Sequence, residues 1–120
     1  MGLKWVKVDT DWPTNPKVTM LLDEGTKGRS ALYAYVAALC YSGQHGLDGF
    51  VPRYALPVVQ ITPRDVTLLC QYELWHAEGD AGWRVNDWAE YQESTEETQK
   101  RAEKARKAAQ RRWSKKASQA

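Results

Sequence analysis

The chain has 120 residues, 42% of them apolar and 27% charged, with a formal net charge of +2. That length suits one modest core plus an appendage rather than two full domains, and no apolar run approaches the ~20 residues of a membrane span. The start, Met1-Gly2-Leu3-Lys4-Trp5, lacks a charged lead into an apolar stretch, so no secretory signal is expected, and Val6 stands where a myristoylation motif needs Ser or Thr. In chain order, Trp5-Val6-Lys7-Val8 alternates apolar and polar and predicts a leading strand. Asn15 before Pro16 is a helix cap with proline at the first helical position, and Val18, Leu21 and Leu22 continue at helical spacing until Gly25.

The strongest helix signal runs from about Ser30 to Gly43, with Leu32, Tyr35, Val36, Leu39, Cys40 and Gly43 as its apolar stripe. Ala31, Ala34, Ala37 and Ala38 make much of the remaining surface small, which favours close packing. Phe50-Val51-Pro52 reads as a short extended piece and Arg53 to Val59 as a brief helix limited by Pro57. Thr62-Pro63-x-Asp65 opens the next helix, predicted to end near Tyr72 with Val66, Leu69 and Cys70 inward. Two strands, Leu74–Glu78 and Trp83–Asn86, flank the turn-forming Gly79-Asp80-Ala81-Gly82. Ser94-Thr95-Glu96-Glu97 is a capping box opening a last helix that meets no glycine or proline before Lys116.

These elements predict a mainly α fold with a small β-hairpin: a winged helix-turn-helix domain over residues 1–93 and a basic helical tail over 94–120. Three helices followed by a two-stranded ribbon is the winged arrangement, in which the third helix reads DNA and the ribbon is the wing. The charge is divided unevenly. Residues 1–98 hold 8 Lys/Arg against 14 Asp/Glu, a net −6, whereas residues 99–120 hold 9 against one, a net +8.

On the third helix Arg64, Thr67, Leu68 and Gln71 fall on the face opposite Val66, Leu69 and Cys70. Arg and Gln suit guanine and adenine edges in the major groove, and the threonine methyl suits thymine. Asp65 and Glu73 flank that face and are expected to repel phosphates. Arg84 is the wing's candidate contact, with Glu78 and Asp80 close by. In the tail Lys100, Arg101, Lys104, Arg106, Lys107, Arg111, Arg112, Lys115 and Lys116 are nine cations within 17 positions. They are expected to wrap most of a helix, leaving a seam of Ala102, Ala105, Ala109 and Trp113. The seam lacks the bulky apolar face of a membrane-lying helix.

For catalysis there is little. His45 and His76 lie far apart without ligand spacing, Ser42-Gly43 lacks the nucleophile-elbow pattern, and no glycine-rich phosphate loop exists. No enzyme, cofactor or metal is expected. Cys40 and Cys70 read as small core hydrophobes in a reducing, cytosolic compartment.

Several stretches resemble actinobacteriophage helix-turn-helix proteins and the N-terminal winged-helix domain of phage replisome organisers and replication-initiation proteins. They are Trp5 to Trp12 with Pro16-Lys17-Val18, Asp48 to Pro52, Leu74-Trp75, Gly82 to Trp88, and Arg111-Arg112-Trp113. The resemblance implies a phage or prophage protein binding double-stranded DNA in replication initiation or transcriptional control, alongside a replication or transcription protein. Larger relatives continue into a loader-binding or oligomerising region that this sequence does not show. The competing expectation is a phage-encoded protein-interaction module that grips a host factor through Trp12, Tyr54 or Trp88, favoured by the acidic front part.

Overall fold

A computed structural model describes the backbone of residues 2–92 and 95–119, and the side chains of residues 2–89, 92 and 99–113. A 3-10 turn at Trp12–Thr14 leads into α1 (Pro16–Asp23), where the Asn15 side chain accepts the Lys17 N–H at 2.9 Å. Then come α2 (Thr26–Gln44), β1 (Phe50–Pro52), α3 (Ala55–Val58) and α4 (Pro63–Gln71). The hairpin β2 (Trp75–Glu78) and β3 (Gly82–Val85) follows, then α5 (Trp88–Tyr91) and α6 (Thr95–Gln119). The molecule is thus mainly helical with one small antiparallel sheet.

That sheet has three strands rather than two, in the order β1-β3-β2. Val51 pairs with Trp83, and Trp75 with Val85. The inner face carries Val51, Trp75, Trp83 and Val85 onto the helices, with Trp75 fully buried and tilted against Trp83 at 5.9 Å between ring centroids. Leu21, Val18, Leu39 and Leu69 complete the core from α1, α2 and α4.

Helix α2 begins four residues earlier than its apolar stripe implies, and its buried face is rotated from the expected one. Ala31, Ala34, Ala38 and Ser42 are fully buried, while Val36 and Cys40 are exposed. Small residues at i, i+3, i+7 and i+11 let neighbouring backbones approach, and that closeness outweighs the larger area of a Val or Cys side chain. Gly28 makes the same point, since a Cβ there would collide with the Leu21 carbonyl of α1. Cys40 is therefore a surface thiol and Cys70 a half-buried one, and both are free.

The leading strand does not form. Residues 5–9 adopt no strand, because their main chain is held by a side chain instead of a ladder. The Lys7 N–H donates to Gln92 Oε1 at 2.7 Å, and Gln92 Nε2 donates to the Lys7 carbonyl at 2.6 Å. Val6 packs on the core while Trp5 and Val8 stay exposed. The buried Gln92 thus ties the N-terminal segment to the end of α5, an element the residue pattern did not announce. The last helix is present, but Ser94 of its expected capping box lies outside the described residues.

Candidate nucleic-acid interface

Helix α4 is held from both ends of its first turn. Thr62 Oγ1 accepts the Asp65 N–H at 3.2 Å, and Asp65 Oδ2 accepts the Thr62 N–H at 2.9 Å. The other carboxylate oxygen of Asp65 accepts the Ser30 hydroxyl of α2 at 2.7 Å, and the residue is 1% exposed. Asp65 is therefore a structural clamp between α4 and α2 rather than a charge facing an approaching phosphate. Its burial is sustained by these three hydrogen bonds to two neighbours, Thr62 and Ser30.

Arg64, Thr67 and Gln71 are all exposed, so α4 brings three of the four expected face residues to one solvent-facing stripe. Leu68 is the exception. It is buried and joins the core with Val66 and Leu69, because the buried arc of α4 is wider than a two-residue seam. Thr67 Oγ1 donates to the Pro63 carbonyl at 3.0 Å. At the C-terminal end the Tyr72 hydroxyl donates to Glu24 at 2.8 Å, and this bond together with burial and nearby acids raises the phenol above its ordinary value. Glu73 follows, exposed, in the left-handed region at φ 60°. The α4 surface is thus cationic at its first turn and acidic just past its last.

Arg84 is committed within the sheet. Its Nε donates to Glu78 at 2.7 Å, its Nη1 to the Asp48 carbonyl at 3.2 Å, and its guanidinium lies over the Phe50 ring. Arg53 is held likewise, donating to the Asp80 carbonyl at 3.1 Å and covering Trp83. A phosphate approaching the hairpin would meet cations already occupied by the protein.

The tail differs in its exposure. Every described side chain from Gln99 to Trp113 is exposed. A continuous helix advances 100° per residue, which sorts the cations more sharply than their sequence density suggests. Lys100, Lys104, Lys107 and Arg111 fall at i, i+4, i+7 and i+11, on one narrow stripe running roughly 16 Å along the axis. Arg101 and Arg112 border it on one side. Arg106 stands apart, next to the seam of Ala102, Ala109 and Trp113 on the opposite face. Glu103 pairs with Lys107 at 3.7 Å across one turn. Lys115 and Lys116 belong to the same helix, but their side chains lie outside the described residues. Four of the described cations therefore share one stripe, and Arg101, Arg112 and Arg106 carry positive charge round most of the remaining circumference.

Among the described residues, other surfaces offer no comparable constellation of cations. A cleft of about 200 Å3 lies between residues 7–12, α1, α2 and the 86–92 turn, walled by the stacked Trp12 and Tyr35 rings. Asp9 and Asp11 sit at its mouth, and the hydrogen bond and charge of Asp9 push the Asp11 carboxyl upward. Among the described residues no group of three or more metal-ligating side chains converges, and no helix is long and apolar enough to cross a membrane. Of the aromatic anchors expected for a protein partner, Tyr54 is 69% exposed and Trp12 half-buried, whereas Trp88 is a core residue packed on Gly49.

Comparison with known proteins adds no relative: no family model matches the chain, and no curated protein or solved structure matches it.

Proposed function

We propose that this chain binds double-stranded DNA, with α4 oriented toward the groove and α6 supplying phosphate contacts. The observation that carries the reading is the stripe of Lys100, Lys104, Lys107 and Arg111 on a helix exposed along its described length. A regular row of cations, with Glu103 the one acid among the described tail side chains and paired to Lys107, suits a phosphate backbone, and release of counterions from that backbone drives binding. Like charges one turn apart oppose an isolated helix, so phosphate neutralisation would also favour the helical form.

The order of elements supports a winged-helix reading of the front part. Helix α2, strand β1, helices α3 and α4, then a hairpin whose second strand pairs with β1, come in an order that favours this reading. In it α4 takes the recognition position, with Arg64 and Gln71 available for base edges and Thr67 for a thymine methyl. The bound Arg84 assigns the hairpin a minor part. This reading accommodates a phage or prophage protein of replication initiation or transcriptional control, working in the bacterial cytoplasm.

Fluorescence anisotropy on labelled duplex DNA tests it. The full chain should bind at ~50 mM salt, where phosphate contacts are strongest. Replacing the nine tail cations with Gln should abolish that binding. Absence of duplex binding by the unaltered protein at this salt would overturn the proposal. The protein-interaction alternative retains one specific observation in its favour, the exposed Tyr54, and it predicts a host protein captured equally well after nuclease treatment.

A further inference from the structure

The chain has six tryptophans, and four of them are taken up by the fold. Trp75, Trp83 and Trp88 are buried in the core, and Trp12 stacks on Tyr35. The other two stand in water, Trp5 at 71% exposure and Trp113 at 73%. Both lie among cations. Lys4 Nζ sits 5.4 Å from the centroid of the Trp5 ring, and Lys7, two positions on, is exposed. Trp113 follows Arg112 directly and Arg106 by seven residues, which places Arg106 and Trp113 on one face of α6 about two turns apart. A helical side chain leans over the preceding turn, and here that turn offers Ala109, too small to cover an indole.

The fold also links the two indoles. The Lys7 main chain is tied to Gln92 by the hydrogen bonds at 2.7 and 2.6 Å, and α6 starts at Thr95, three positions later. Three residues reach at most about 10 Å, so the segment carrying Lys4, Trp5 and Lys7 is held near the root of α6. Beyond Glu96 and Glu97 in its first turn, the cations of α6 lead along the axis to Trp113, roughly 27 Å from Thr95.

We infer that Trp5 and Trp113 stack on unpaired bases, so that the preferred ligand is DNA with a single-stranded stretch beside a duplex. This rests on the DNA-binding reading above and deepens it. In a duplex each base hides its faces against its neighbours, and phosphate contacts along the stripe leave an indole on the far side of α6 with nothing to meet. An unpaired base exposes its π-face. Exposed rings beside cations hold such strands, the ring taking the base and the cations following the backbone, with little regard to sequence. The stripe and Trp113 lie on opposite faces of α6, so the helix stands at the junction, with duplex on one side and the departing strand on the other. A lipid surface fits less well, because Arg106, Ala102 and Ala109 share the face of Trp113 where a membrane-lying helix needs bulky apolar groups.

The test is competition fluorescence anisotropy with the full chain and two DNAs. One is a duplex with an oligothymidine overhang of about 12 nucleotides; the other is the same DNA with the overhang paired to its complement. Pairing adds phosphates and removes base faces, so charge alone favours the fully paired form. The wild type should instead prefer the overhang by about tenfold or more. Trp113→Ala and Trp5→Ala should each weaken overhang binding about fivefold or more and leave fully paired DNA within about twofold, whereas Trp113→Phe keeps a stacking ring and most of the preference. Both positions are exposed, and circular dichroism should show unchanged helix content. A wild type that binds paired DNA as tightly as the overhang overturns the inference, as do alanine variants that weaken both DNAs equally. So does a Trp113→Ala variant that keeps the overhang preference but no longer co-sediments with phosphatidylglycerol vesicles. Each of these results leaves binding to paired DNA standing; its absence in the wild type is the separate failure of the reading above.

Discussion

Within residues 1–92 the key ionisable groups are spent on the fold: Asp65 joins α4 to α2, Arg84 is divided among Glu78, Asp48 and Phe50, and Tyr72 bonds to Glu24. In α6 the same residue types stand on an exposed helix, arranged by helical spacing into a stripe. Charge count alone would rank Arg84 with Lys104 as a DNA contact. Local partners separate them: a guanidinium already holding a carboxylate and a carbonyl must give up both to take a phosphate, whereas an exposed lysine gives up water.

The largest expected effect lies in the first region and concerns stability. Trp75→Ala empties the centre of the core and should cost about 3–5 kcal/mol, read from denaturant midpoints. Loss of that size in a domain this small would leave it marginally folded. Asp65→Ala should cost about 2–3 kcal/mol, since it removes the acceptor of the Thr62 N–H in the α4 capping box and strands the Ser30 hydroxyl. A smaller loss would mean that the clamp is not what joins these helices. In the DNA-reading stripe, Arg64→Ala or Gln71→Ala should leave the fold intact and reduce discrimination between preferred and scrambled duplexes by about 1–3 kcal/mol, measured by competition anisotropy.

Two smaller effects sharpen the contrast. Arg84→Gln should shift stability by under about 1 kcal/mol, as expected for a pair near half exposure, and leave duplex affinity nearly unchanged. A large loss of DNA binding would move the hairpin into the interface. The thiols should also differ: Cys40 is exposed, whereas burial pushes the Cys70 thiol up, so a disulfide-exchange reagent should modify Cys40 first.

What the residue pattern revealed follows from how far each signal reaches along the chain. The Asn15-Pro16 start, the Thr62-Pro63 start with its acid at Asp65, and the glycine-rich hairpin turn are encoded within four residues, and each appears as expected. The exposed Arg64, Thr67 and Gln71 were likewise legible from 3.6-residue spacing. The errors concern partners distant in sequence. Nothing near Lys7 indicates Gln92, 85 residues away, which holds the segment read as a strand. How far the buried face of α2 turns from Leu32 and Leu39 onto the alanines, leaving Val36 and Cys40 outside, depends on how closely α1 and α4 approach, which its own periodicity does not encode. The placement of Leu68 inside and the capture of Arg84 by Asp48 have the same origin. In the tail the signal was present, since the i, i+4, i+7, i+11 spacing singles out four cations, but a count of charges obscured it.

The central claim is that an ordered stripe on α6, rather than bulk positive charge, contacts the phosphate backbone. The most direct measurement is the salt dependence of duplex affinity for the full chain and for a variant with Lys100, Lys104, Lys107 and Arg111 replaced by Gln. With about six phosphate contacts in the wild type, the slope of log affinity against log salt should be about −5, falling to about −2 in the variant. An unchanged slope and affinity would contradict the account and send the search for the interface elsewhere on the molecule.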